Sequence, residues 1–132
     1  MRVICAGGRD YTNKDMVFKW LCYLDDIFHF TVLVSGQCPR GADSIGEEWA
    51  RHNNVTIHTF PAEWDKYGKK AGPMRNIEMA KYADMCVLFP GGKGTRDMKD
   101  RARIYCNHII DFGADLKEDY IKMDNGSSIK LT

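Results

Sequence analysis

Met85-Cys86-Val87-Leu88-Phe89-Pro90-Gly91-Gly92-Lys93-Gly94-Thr95-Arg96-Asp97 is the stretch from which the fold can be read. An uninterrupted apolar run stopped by proline and glycine predicts a strand buried on both faces. Glycines at 91, 92 and 94 leave backbone N–H groups unshielded by side chains. Thr95 is placed to cap a helix running from about Lys93 to Tyr105. The positive end of that helix dipole then faces the loop, a geometry suited to an anion and above all to a phosphate. An ordinary glycine-rich turn is the competing reading of the stretch taken alone.

The same strand–loop–helix pattern recurs upstream. Val3-Ile4-Cys5-Ala6 runs into Gly7-Gly8-Arg9-Asp10, after which Thr12 or Asn13 can cap a helix. Met16, Val17, Trp20, Leu21, Leu24 and Phe28 give that helix its core face. Thr31-Val32-Leu33-Val34 is a second strand, ended by Ser35-Gly36. Gln37-Cys38-Pro39-Arg40 then leads to Gly41-Ala42-Asp43 and a helix with Ala42, Ile45, Gly46, Trp49 and Asn53 on its inner face and Glu47, Glu48 and Arg51 outside. Val55-Thr56-Ile57-His58-Thr59-Phe60 alternates and is rich in β-branched residues, so it is a third strand. Residues 61–72 hold Trp64, Tyr67, Lys66, Lys69 and Lys70 and are expected as a mobile loop beside the site. Pro73 suits the first position of the next helix.

Repeated units of this kind predict an α/β fold: a Rossmann-like, doubly wound parallel sheet of strand order 3-2-1-4 with helices on both faces. Ile109-Ile110-Asp111-Phe112 is a candidate fifth strand. Tyr120-Ile121-Lys122-Met123 and Ser128-Ile129-Lys130-Leu131 read as a strand pair around the turn Asp124-Asn125-Gly126-Ser127. Residues 1–106 are expected to form one nucleotide-binding domain, and residues 107–132 a C-terminal extension packed on it as a strand or hairpin. The first and fourth strands become neighbours where the winding reverses, the place where open α/β sheets bind ligands. The loops 7–10 and 90–95 therefore face each other across one crevice.

With 132 residues, 44% of them hydrophobic and 28% charged, the chain suits one soluble domain with a real core. A formal net charge of +1 gives no global electrostatic reason to bind nucleic acid or an anionic membrane. The five cysteines are scattered and include no C-x-x-C pair, which argues against zinc and redox sites and for a reducing, cytoplasmic compartment. Met1-Arg2-Val3-Ile4 enters a strand at once, so no signal peptide is expected, and no apolar run is long enough to span a membrane. No metal and no cofactor is expected.

Neither glycine cluster fits G-x-G-x-x-G or the Walker A spacing, which disfavours a dehydrogenase or a P-loop ATPase. Four elements together are more telling: Gly7-Gly8-Arg9-Asp10; Ser35-Gly36 with Gly41-Ala42-Asp43; Gly72-Pro73-Met74-Arg75-Asn76 with Met79; and Pro90-Gly91-Gly92-Lys93-Gly94-Thr95. Over about residues 2 to 106 this set resembles the SLOG superfamily, and within it the YspA/YpsA-related proteins. The superfamily also includes the lonely-guy phosphoribohydrolases, the lysine-decarboxylase-like proteins and the DNA-processing protein DprA. The resemblance implies a Rossmann-like domain that binds nucleotides or phosphoribosyl ligands, and a homo-oligomer, a dimer first. It assigns ligand contact to Gly7, Gly8, Arg9, Asp10, Ser35, Gly36, Gly41, Asp43, Arg75, Asn76 and the loop from Pro90 through Gly91, Gly92, Lys93 and Gly94 to Thr95. In the phosphoribohydrolases an R-x-x-x-M element supplies a catalytic arginine, matched by Arg75 and Met79. Their P-G-G-x-G-T-x-x-E loop supplies a glutamate, and Met98 occupies that position here. Asp97, one residue earlier and about 100° around the helix, is the substitute.

Residue chemistry leaves alternatives beside these roles. Arg75 near a helix start conflicts with the dipole, which favours an anion partner. Arg9 serves equally as a solvated turn residue, Asp43 as a first-turn acid, and Asp10 as a partner of its own turn backbone. Trp64 and Tyr67 can stack on a base or anchor their loop. Three functions follow: a binding module that senses or sequesters a nucleotide-derived ligand; an N-glycosidase or phosphoribohydrolase using Arg75 and Asp97; and a nucleic-acid handler related to DprA, which the near-neutral charge disfavours.

Overall fold

A computed structural model describes residues 1–113, 120–122 and 128–130. Its central sheet has five parallel strands in the order β3-β2-β1-β4-β5: β1 (Arg2–Ala6), β2 (Val32–Ser35), β3 (Thr56–Thr59), β4 (Met85–Leu88) and β5 (His108–Asp111). The expected order 3-2-1-4 holds, and the candidate fifth strand takes its place beside β4, paired from Met85 with His108 to Leu88 with Asp111. Five helices connect them: α1 (Lys14–Phe28), α2 (Ala42–His52), α3 (Trp64–Tyr67), α4 (Ala71–Tyr82) and α5 (Lys93–Tyr105).

Strand periodicity divides the core in two. From one face Val3, Cys5, Leu33, Met85, Val87 and Ile110 pack against Trp20, Leu21 and Leu24 of α1 and Trp49 of α2. From the other, Ile4, Val34, Cys86, Leu88 and Ile109 meet Met79 and Ala80 of α4 and Met98 and Ala102 of α5. Every residue of β4 is buried, as its uninterrupted apolar run requires. Asn13 caps α1, its side-chain oxygen accepting from the Met16 N–H at 3.2 Å.

Three local expectations need correction. Residues 61–72 are not a plain loop: they form α3, a 3-10 turn at Gly68–Lys70 and the start of α4. Helix α4 begins at Ala71, so Pro73 is its third residue and not its first. Proline is accommodated there because the first four N–H groups of a helix have no intrahelical partner to lose. Finally, Thr95 is not the cap of α5. Gly92 holds that position, and Thr95 lies in the first turn.

Strands β6 (Tyr120–Lys122) and β7 (Ser128–Lys130) pair antiparallel, as expected for a terminal hairpin. The turn assigned to residues 124–127 lies outside the described residues. Among those described, no helix is long and apolar enough to cross a membrane.

Helix α2 approaches β1 through Gly46. A Cβ there would stand 2.7 Å from the Cys5 sulfur and 2.8 Å from the Cys5 Cβ. Since the second of these atoms is fixed to the central strand, Gly46→Ala should destabilise the fold by about 1–3 kcal/mol. A urea unfolding curve whose midpoint did not fall would show that the helix can retreat at no cost.

Candidate functional site

The first and fourth strands bring their following loops into direct contact. The Gly8 N–H donates to the Pro90 carbonyl at 2.9 Å. This approach needs two bare α-carbons: a Cβ on Gly8 would stand 3.0 Å from the Pro90 oxygen, and one on Gly91 would stand 2.6 Å from the Gly8 nitrogen and also strike the Thr95 hydroxyl. The Gly8 carbonyl in turn accepts from Ala42 N–H at 3.3 Å, tying the start of α2 to the same loop. Gly41, at φ +84°, makes the turn into that helix.

Above this junction lies a cavity of about 730 Å³. Helix α5 points its N-terminal turn into it through Gly92, Lys93, Gly94 and Thr95. No side chain caps that terminus, so its first N–H groups and its dipole are presented to whatever occupies the cavity. Lys93, Arg9 and Arg75 add positive charge to the lining.

A polar chain crosses the cavity floor. Arg75 of α4 reaches the end of β2, where Nη1 donates to the Gly36 carbonyl at 2.7 Å. Gly36 is the residue that makes room, since a Cβ there would sit 2.5 Å from Nη1. Nε of Arg75 donates to the Asn76 side-chain oxygen at 3.0 Å, and Asn76 Nδ2 donates to Asp97 Oδ2 at 2.9 Å. With one edge accepting and the other donating, the Asn76 amide has its orientation fixed by its partners. Asp97 also pairs with Arg101 one turn on, at 3.4 Å.

Asp43 is buried beside this chain. Burial pushes its carboxyl up to about 6, against the opposing pull of the Arg75 guanidinium and of backbone N–H groups from Cys38 and Gly7. The neighbouring Glu47 carboxylate raises it further. A first-turn acid on a helix is ordinarily stabilised as an anion. Here desolvation wins, and the carboxyl stands at about 6.

Of the residues singled out from sequence, Gly7, Gly8, Arg9, Gly36, Asp43, Arg75, Asn76, Gly92, Lys93, Gly94, Thr95 and Asp97 line this one cavity. Five others, Asp10, Ser35, Gly41, Pro90 and Gly91, stand apart from its wall. Asp10 points outward, its side chain 94% exposed and paired with Arg40 at 3.2 Å. Ser35 is buried under the loop, donating to Glu47 at 2.9 Å and accepting from the Gln37 N–H at 3.0 Å. Gly41, Pro90 and Gly91 shape the junction from behind. Tyr67 turns to a smaller adjoining cavity of about 310 Å³, while Trp64 lines the large one. Sequence reasoning assigned no ligand contact to Cys38, Pro39, Pro61 or Ala62, though it set residues 61–72 beside the site, and it read Met79 only as the motif partner of Arg75. The sheet order itself carried the signal for residues 38–39 and 61–62, because the loops after β2 and β3 open on the same edge as those after β1 and β4.

The family model of the YspA, cpYpsA-related SLOG proteins matches residues 1–67, from β1 through α3. The chain belongs to this SLOG family. A relative, the Gene 61 protein of Mycobacterium phage D29, is 37% identical over 123 residues, an alignment spanning 85% of this chain and 96% of that one. No solved structure matches the chain. In this SLOG chain Met98, the residue that the resemblance compares with a phosphoribohydrolase glutamate, is 2% exposed and packs with Met79, Ala80 and Ala102. The adjacent acid, Asp97, is the one tied to Asn76.

The raised Asp43 carboxyl has a measurable signature. Its folded value of about 6 lies above the ordinary 3.8, so the stabilisation it confers is complete below about pH 4 and is lost as pH rises through 6. Unfolding free energies measured from pH 3.5 to 7.5 should fall for the native chain relative to Asp43→Asn, by up to about 3 kcal/mol. Parallel curves for the two proteins would mean that the carboxyl titrates as an exposed one does.

Proposed function

We propose that this SLOG chain binds a nucleotide or nucleotide-derived phosphoribosyl ligand in the cavity at the ends of β1 and β4, as a sensor or sequestering module. The observation that carries the reading is the convergence on one space of about 730 Å³ of an uncapped helix N-terminus and the Arg75 guanidinium. Exposed N–H groups at a helix start suit a phosphate, a guanidinium adds charge-assisted hydrogen bonds, and the volume suits a small organic ligand. The family supports nucleotide-related binding in general terms. Binding without turnover is favoured by the apolar Met98 at the glutamate position and by the engagement of Asp97 with Asn76 and Arg101.

A second reading is an N-glycosidase acting on nucleoside phosphates, and one observation favours it. Asp43, with its carboxyl near 6, can give and take a proton at physiological pH. In that mechanism Arg75 orients the phosphoribosyl group, Asp43 protonates the departing base, Asp97 stabilises positive charge developing on the sugar, and water adds at C1′ and gives its proton back to the Asp43 carboxylate.

Calorimetry against nucleoside 5′-monophosphates tests the site. Arg75→Ala should weaken binding roughly 10- to 100-fold, the equivalent of a lost charge-assisted hydrogen bond. Gly92→Asp has open space for its side chain and should weaken binding by placing a carboxylate at the anion site. Affinity unchanged in both variants would remove the site. Chromatography for free base after incubation with bound nucleotides separates the two readings: none is released by a binding module, whereas release that Asp43→Asn abolishes identifies the glycosidase.

A further inference from the structure

One wall of the cavity is a single face of α4. Gly72, Arg75, Asn76 and Met79 all line it, at the spacing of successive helical turns. The N-terminal turn of α5 meets this face at Asn76, whose Nδ2 lies 3.4 Å from the Gly94 carbonyl. One turn earlier, at Gly72, the wall is covered by the indole of Trp64. A Cβ on Gly72 would stand 3.1 Å from the indole Cη2, so the absence of a side chain at this position sets how closely the ring can lie. Gly72 and Asn76 are separated by four helical residues, or about 6 Å along the axis. That is the span of a ribose between its base and its 5′-phosphate.

Phosphate recognition accounts for the Asn76 end of this wall and not for the Gly72 end. There the lining is Trp64 with Pro61, Ala62 and Pro73. Trp64 is 52% exposed, whereas the two other tryptophans, Trp20 and Trp49, are core residues at 1% and 0%. A large aromatic surface left half in water at the rim of a cavity forgoes the burial that fixes its counterparts. Flat apolar walls beside an indole suit an aromatic heterocycle, which stacks on the ring whatever its hydrogen-bonding edge.

We infer that Trp64 is the base-stacking residue of this site, and that its ligand carries a nucleobase and is not a base-free sugar phosphate. The inference rests on the nucleotide-binding reading above and adds a subsite to it. Placement of the base against Trp64 puts the ribose along Arg75 and Asn76 and the phosphate at the start of α5.

The full chain is titrated with the 5′-mono- and diphosphates of adenosine, guanosine, cytidine and uridine, and with ribose 5-phosphate, by calorimetry and by tryptophan fluorescence. Because Trp20 and Trp49 are buried, the ligand-dependent emission belongs to Trp64 and should vanish in Trp64→Phe. At least one nucleotide is expected to bind and quench that emission. Trp64→Ala should weaken it about tenfold, with most of the loss recovered in Trp64→Phe, and should weaken ribose 5-phosphate less than twofold. Nucleotide binding that is indifferent to Trp64→Ala overturns the stacking role and leaves the proposed function standing. Ribose 5-phosphate bound as tightly as the best nucleotide does the same. Ribose 5-phosphate bound with no nucleotide likewise overturns the base subsite alone, whereas if neither nucleotides nor ribose 5-phosphate bind, the proposed function fails and the base subsite with it.

Discussion

The hydrogen bond from the Gly8 N–H to the Pro90 carbonyl is the contact on which the rest of the site depends. It joins the loops that leave the two central strands, and it forms only because neither Gly8 nor Gly91 carries a side chain. Once the loops touch, the chain leaving β4 must turn at once into α5, which aims that helix along the end of the sheet. The Gly8 carbonyl draws in the start of α2 from the opposite layer. One short backbone contact thereby sets the directions of two helix N-termini.

Side chains then connect the layers that the backbone has aligned. Arg75 spans from α4 to the end of β2, Asn76 from α4 to α5, and each bond uses a group that would otherwise be buried without a partner. Asp43 is the member whose environment is least comfortable for its charge, since Arg75 divides its donors between Gly36 and Asn76 and desolvation prevails. A site so arranged has its cation oriented before any ligand arrives. Its acid is held with a carboxyl pushed up to about 6.

Much of this was legible in the sequence because the strands are unambiguous. Residues 3–6, 32–34 and 85–89 are uninterrupted apolar runs bounded by glycine, serine or proline, and parallel strands buried on both faces read in just that way. The order of the sheet and the crevice followed from handedness. What escaped was governed by three-dimensional context. Pro73 is tolerated anywhere in a first turn, so it marked the neighbourhood of a helix start and not its position. Thr95 reads as a cap until Gly92 is seen to hold that place. Asp43 has the sequence signature of a solvated acid; the Gly7 N–H and the Arg75 guanidinium that favour its charge, against the burial that opposes it, lie more than thirty positions away. The choice between Asp97 and Met98 turned on helix phase, a matter of one residue that periodicity fixes only when the packing partners, here Met79 and Asn76, are known.

The sheet order has a consequence for when the site comes into being. Central β1 emerges first in the chain, yet its partner β4 lies more than eighty residues later, at the separation that also divides Arg2 from Asp84. The first three strands and their two long helices can associate through nearest neighbours, whereas the Gly8 to Pro90 contact must wait for the longest closure in the central sheet. A growing chain therefore carries the Gly7 and Asp43 side of the crevice before the Pro90 loop that closes it has been made. The cavity is a late product of folding. Any ligand bridging the two loops would hold together the last pair of central strands to meet, so occupancy should be felt most strongly where the fold is completed last.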